Sequence, residues 1–179
     1  MQDLRSNVEA LDDADQITLD NGLTIIHLET HDHPVVSAQL WVRAGSATEG
    51  ARLGSGVSHA LEHMLFKGTE NRAPGTIDEE VQDMGGQMNA YTSFDHTVYW
   101  INAPSESAVS AIDILCDIGK NATLPADEWK KEREVIHREM DMCEDDPSRR
   151  SFRRFVSCRA PSNCASWNGP PSTIQRGAI

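Results

Sequence analysis

Nowhere does the chain carry an apolar run of the roughly 20 residues needed to span a bilayer, so no membrane partner is expected. Basic residues are scarce: 16 Lys and Arg stand against 28 Asp and Glu, a formal net charge of -12. A surface of that sign repels polyanions and speaks against a general affinity for nucleic acid. The first residues, Met1-Gln2-Asp3-Leu4-Arg5, have neither the basic start nor the apolar stretch of a secretory signal. Asp3, Glu9, Asp12, Asp13 and Asp15 argue equally against an Arg-rich, acid-poor transit peptide, and a cytoplasmic location is expected. The four cysteines, Cys116, Cys143, Cys158 and Cys164, form no Cys-x-x-Cys pair and no dense disulfide framework, which favours free thiols. There is no internal repeat. A chain of 179 residues can nevertheless bury a core of its own without such staples.

What the chain does have is Gly56-Val57-Ser58-His59-Ala60-Leu61-Glu62-His63-Met64-Leu65-Phe66-Lys67-Gly68-Thr69. If this run is helical, His59 and His63 share one face and Glu62 stands beside it. Neutral imidazoles are good zinc ligands, and a catalytic zinc takes three protein ligands and keeps one position open for water. A carboxylate between the two histidines is well placed to take a proton from that water. His-x-x-Glu-His is the reverse of the commoner His-Glu-x-x-His zinc-peptidase motif. Val57, Leu61, Leu65 and Phe66 recur at helical spacing and are expected to anchor the helix.

The remaining elements read in order. Residues 1–15 form a polar, acidic, loose leader. Ile17 to Leu19 and Leu23 to Leu28 are two strands joined at Asn21-Gly22, residues that tolerate the positive φ of a tight turn. His31 and His33 read as solvated turn residues. Val35 to Ala44 is a third strand. The motif helix breaks at Lys67 to Gly75, and Thr76-Ile77-Asp78-Glu79 has the form of a capping box opening a short helix that ends at Gly85-Gly86. Gln87 to Ser93 and Thr97 to Ala103 make a second strand pair. A helix from Pro104-Ser105 to about Gly119 is expected to pack through Val109, Ile112, Leu115 and Cys116. Pro125 then starts a long helix, Ala126 to Met142, on which Glu132 and Glu139 stand two turns apart on one face while Val135, Ile136 and Met140 pack.

Three segments, Gly56 to Thr69, Gly86-Gln87-Met88-Asn89-Ala90-Tyr91-Thr92 and Glu132-Arg133-Glu134-Val135-Ile136-His137-Arg138-Glu139, together resemble the catalytic lobe of the pitrilysin, insulinase and mitochondrial processing peptidase family. The likeness runs from about Ile17 to about Pro147. It implies an α+β fold of two layers, a mainly antiparallel sheet packed against helices. It implies one Zn2+ per chain held by His59, His63 and Glu139, with Glu62 as general base and Glu132 as a second acidic residue that orients or tunes the site. Asn89 and Ala90 correspond to an edge strand along which an extended substrate lies. The implied function is a zinc metalloendopeptidase acting on extended peptides or small unfolded proteins through a metal-activated water. The alternative is a non-catalytic or partner-dependent peptide-binding lobe.

Residues 1–147 are accordingly read as one peptidase lobe. Residues 148–179 hold Arg149, Arg150, Arg153, Arg154, Arg159 and Arg176 without one acidic side chain, and read as a basic, irregular tail unlike the family. In the family the lobe continues and is joined by a second lobe of similar fold, in the same chain or a partner subunit. Neither continuation is recognisable, so the chain reads as a fragment, a frameshifted product or a divergent short form, with a second homologous lobe or subunit as a candidate partner.

Overall fold

The computed structural model describes residues 14–148, 150 and 151, in two units divided between Pro34 and Val35. Most of the basic tail and most of the leader therefore lie outside the described residues; Ser148, Arg150 and Ser151, at the start of the tail expected to be irregular, are helical. The leader's last residue, Asp15, already belongs to a strand.

The described part of the first unit is a hairpin of β1 (Asp15–Thr18) and β2 (Thr24–His27), antiparallel with Asp15 opposite His27 and Thr18 opposite Thr24. Its turn uses the expected Asn-Gly pair. Asn21 Oδ1 accepts from the Leu23 amide at 3.0 Å, and Gly22 takes φ +86°, a conformation without penalty only for glycine. His31 is exposed and ion-pairs with Glu29 at 3.2 Å, in keeping with a solvated turn.

The second unit is built on a three-stranded antiparallel sheet of order β3-β5-β4, with β3 at Val35–Val42, β4 at Gln87–Thr92 and β5 at Thr97–Pro104. Among the described residues four α-helices accompany it: α1 (Val57–Leu65), α2 (Thr76–Asp83), α3 (Ala108–Asn121) and α4 (Ala126–Asp145). Successive side chains on a strand face opposite ways, so one face of the sheet can be wholly apolar. Ala38, Tyr99, Ile101 and Ala103 form that face and are buried against Ile77 and Val81 of α2 and Ala111, Ile114, Leu115 and Ile118 of α3. No described helix is long and apolar enough to cross a membrane.

Several local expectations change in the fold. The capping box at Thr76 is not formed: Gly75 is the N-cap, at φ +91°, and no side chain caps the helix. Thr76 already has helical geometry, so its hydroxyl cannot act from outside the first turn. The other end of α2 does close at Gly85-Gly86, where the Gly85 amide reaches Gln82 O and the Gly86 amide Val81 O, both at 2.9 Å. On α3 the buried face is rotated from the expected one: Leu115 is inside, but Val109, Ile112 and Cys116 are exposed. On α1, Leu61 is exposed and Met64 is the buried anchor; on α4, Ile136 is buried and Val135 is exposed.

Two close approaches fix the frame around α1. The loop after β3 lies against the β4–β5 turn, with the Ser46 amide on Ser93 O at 3.1 Å and the Ala47 amide on Phe94 O at 2.7 Å. A Cβ at Gly45 would stand 2.5 Å from Ser93 O, so this backbone-on-backbone contact requires glycine. Past α1, Gly68 to Arg72 is tied to the end of α3 by Thr69, Asn71 and Arg72, all donating to the buried Asp117.

Candidate metal centre

α1 and α4 meet at the open end of the sheet and bring the predicted ligands together. His59 and His63, one turn apart on α1, place their Nε2 atoms 3.2 Å from each other. Glu139 Oε2, from α4, stands 3.4 Å from His63 Nε2 and 3.6 Å from His59 Nε2. Ligands about 2.0–2.2 Å from a zinc ion at tetrahedral angles are about 3.3–3.6 Å apart, so these three atoms already lie near the corners of such a site. The donor set, two imidazole nitrogens and one carboxylate oxygen, suits a zinc site with a position left open. Among the described residues these are the three that could hold a metal ion together.

The spacing of Glu132 and Glu139 has a specific result. Two turns apart on α4, they reach opposite nitrogens of one imidazole: Glu139 lies at His63 Nε2, and Glu132 Oε1 is 2.9 Å from His63 Nδ1. A carboxylate can only accept here, so this contact favours the His63 tautomer with its proton on Nδ1 and its Nε2 lone pair toward the cluster. Burial would raise the Glu132 pKa, but hydrogen bonds and charge from Lys67 and His63 outweigh it and hold the carboxyl below its ordinary value. For His59, burial and the neighbouring His63 ring both disfavour the imidazolium. They prevail over Glu62 and Glu139, and the pKa lies below the ordinary 6.5.

Glu62 is not among the three convergent residues. It is 9% exposed and accepts a hydrogen bond on Oε2 from the Thr92 hydroxyl, at the end of β4. The same contact brings the substrate-strand candidate to the site. Among the described residues β4 pairs only with β5, so its other side is a free edge. Ser93 N donates to His96 O at 2.8 Å, and the alternation of an antiparallel ladder then turns the Ala90 amide and carbonyl outward. In keeping with this, the Ala90 amide is bonded not by β5 but by Asn89 Oδ1, at 2.8 Å.

Three residues of this neighbourhood escaped sequence reasoning: Thr92 on Glu62, Lys67 on Glu132, and Glu49, which bonds the start of α1. Each acts through a contact distant in sequence, and no local pattern marks it.

The insulinase (peptidase family M16) model matches residues 24–160. The chain is 35% identical to cytochrome b-c1 complex subunit 1, mitochondrial, of Bos taurus over 162 residues, which are 88% of the chain and 33% of that protein. It is 42% identical to mitochondrial-processing peptidase subunit beta of Rattus norvegicus over 130 residues, 72% of the chain and 26% of that protein. Among solved structures, a protease from Helicobacter pylori superposes with TM-score 0.74 at 30% identity, over 80% of this chain and 35% of that one. A peptidase M16 inactive domain from Pseudomonas fluorescens superposes at 0.76 over 93% of this chain and 41% of that one; at 16% identity it speaks for the fold alone. The chain thus spans between about a quarter and a third of the length of the curated relatives it matches. By the extent of the family match and the fold, the chain belongs to the insulinase family, peptidase family M16.

Proposed function

We propose that this chain is the metal-binding lobe of a zinc metalloendopeptidase that cleaves extended peptides. The observation that carries the reading is the convergence of His59 Nε2, His63 Nε2 and Glu139 Oε2 within 3.6 Å of one another, with a fourth, non-convergent carboxylate beside them. A zinc ion held by these three residues supplies Lewis acidity toward a peptide carbonyl and makes water a stronger acid.

The chain's own residues do the rest. Thr92 holds one oxygen of Glu62, leaving Oε1 to accept a proton from the attacking water and to return it to the departing amine. The free edge of β4 offers outward backbone groups at Ala90 to an extended peptide, which adds as a strand and is held largely through its main chain. Asn89 Oδ1 occupies that amide in the free chain and must turn aside for the substrate. Such pairing reads little sequence, which fits an enzyme acting on many unfolded polypeptides.

A second reading has its own support. The chain spans between about a quarter and a third of its curated relatives, two of whose names describe subunits. In that reading this lobe binds peptide and acts only beside a second homologous lobe or subunit.

Zinc titration of the purified chain, with hydrolysis of an unstructured peptide followed in parallel, tests both. About one zinc per chain is expected, weakened strongly in Glu139→Gln, with Glu62→Gln keeping the metal and losing hydrolysis. A folded chain that takes up no zinc overturns the metal-site reading. Zinc uptake with hydrolysis only after addition of a copurifying homologous chain establishes the second reading.

A further inference from the structure

Behind the metal-facing side of His63 three side chains stand in a row. Lys67 Nζ lies 2.8 Å from Glu132 Oε2, and Glu132 Oε1 lies 2.9 Å from His63 Nδ1. Each carboxylate oxygen thus has one partner. Rotating the carboxylate to release either partner would break a charge-assisted hydrogen bond among side chains only 10% and 14% exposed for Glu132 and His63. With Oε2 anchored, Oε1 is held in the plane and at the distance that Nδ1–H needs.

Lys67 is itself held in place. It follows the end of α1, where its amide donates to Met64 O at 3.1 Å. At Gly68, with φ +121°, a Cβ would stand 3.2 Å from Arg72 O and 3.3 Å from Pro74 N, and Thr69 forms a bridge with Ala122. The Thr123 amide donates to Gly68 O at 3.1 Å. The turn carrying Lys67 is therefore tied to the short connection between α3 and α4, and α4 is the helix that carries Glu132.

We propose that Lys67 is a positioning residue of the metal centre: through Glu132 it fixes the His63 ring with its proton on Nδ1 and its lone pair on Nε2. This rests on the metal-site reading above. The Lys67 ammonium pairs with Glu132 and not with a candidate ligand, and a lysine at the end of a helix would otherwise pass for a solvated charge.

The test uses the metal-free full chain at neutral pH, with zinc affinity measured by competition against a chromophoric chelator and the His63 tautomer by imidazole nitrogen NMR. Lys67→Met is expected to weaken zinc binding about 10-fold, the scale for disturbing an outer partner of a metal-bound histidine. Lys67→Arg, which can still reach the carboxylate, is expected to restore most of the affinity, a rescue that a merely space-filling role would not give. In the wild-type chain His63 is expected to carry its proton on Nδ1. Wild-type protein that binds no zinc overturns the metal-site reading. Zinc binding unchanged in Lys67→Met overturns the role of Lys67, as does an Nε2-protonated His63 in the wild type, a result available even if Lys67→Met does not fold.

Discussion

The amide of Ser58, in the first turn of α1, donates to Glu49 Oε1 at 2.9 Å. The residue at the N-cap is Gly56, which has no side chain to offer, so the carboxylate that caps the motif helix comes from an earlier loop. A negative charge at this end also favours the helix dipole. Glu49→Ala is expected to destabilise the fold by about 1 kcal/mol, read from urea denaturation. An unchanged midpoint would remove Glu49 from the set of capping groups.

Thr92 supplies the hydrogen bond to Glu62 and also lies 3.4 Å from the Thr97 hydroxyl, which in turn donates to Ala44 O at 2.8 Å. Thr92→Val keeps the shape and deletes the donor. It is expected to cost about 1–3 kcal/mol, because a carboxylate of low exposure loses its donor, whereas Thr92→Ser should cost much less. Zinc affinity should change little in either variant, since Thr92 touches none of the three ligands. A Thr92→Val variant as stable as wild type, with the loss confined to Thr92→Ser, would show that the methyl, not the hydroxyl, matters.

Gly45→Ala drives a methyl into the backbone of the β4–β5 turn, where neither Ser93 nor Phe94 can yield as a flexible side chain could. A loss of at least about 1–3 kcal/mol is expected in thermal or urea unfolding. A variant of wild-type stability would mean that the turn repacks freely.

Asp117 accepts from Thr69, Asn71, Arg72 and Asn121, at 2.6 to 2.7 Å. Burial would raise its pKa, but these four hydrogen bonds prevail and hold it well below the ordinary 3.8. Its folded pKa being the lower one, its contribution is complete above pH 3.8 and is lost as pH falls through the folded value. Asp117→Asn is expected to cost about 3 kcal/mol near neutral pH, because Arg72 loses its buried partner and keeps only the more exposed Glu80 and Asp113. The gap between wild type and variant should narrow as the pH is taken below 3.8. A gap independent of pH would show that the carboxylate charge is not what the knot uses.

The residues of the His-Glu cluster were legible because their spacing is local: four residues on α1 and seven on α4 each define one helix face. That the two faces meet came from the family resemblance and from the fold, not from either helix alone. Packing was less legible where a helix is apolar nearly all round. On α3 the set Val109, Ile112 and Cys116 and the set Ala111, Ile114 and Ile118 both recur at helical spacing, and only the sheet selects the second. The Thr76 box failed for a different reason. Glycine at 75 could adopt the left-handed conformation and end the preceding turn one residue early, which no capping pattern encodes. Glu49 and Lys67 were invisible in principle, since their partners lie in other elements.

The two helices that meet at the cluster are the first and the last of the four, and His63 and Glu139 enclose between them α2, α3, β4 and β5. A cation joining them would be a reversible cross-link across one long loop, penalising the open chain by the entropy of closing it. Metal occupancy would then report on the whole second unit: chelation should lower its unfolding temperature, and the site should form only once the sheet has brought both helices home.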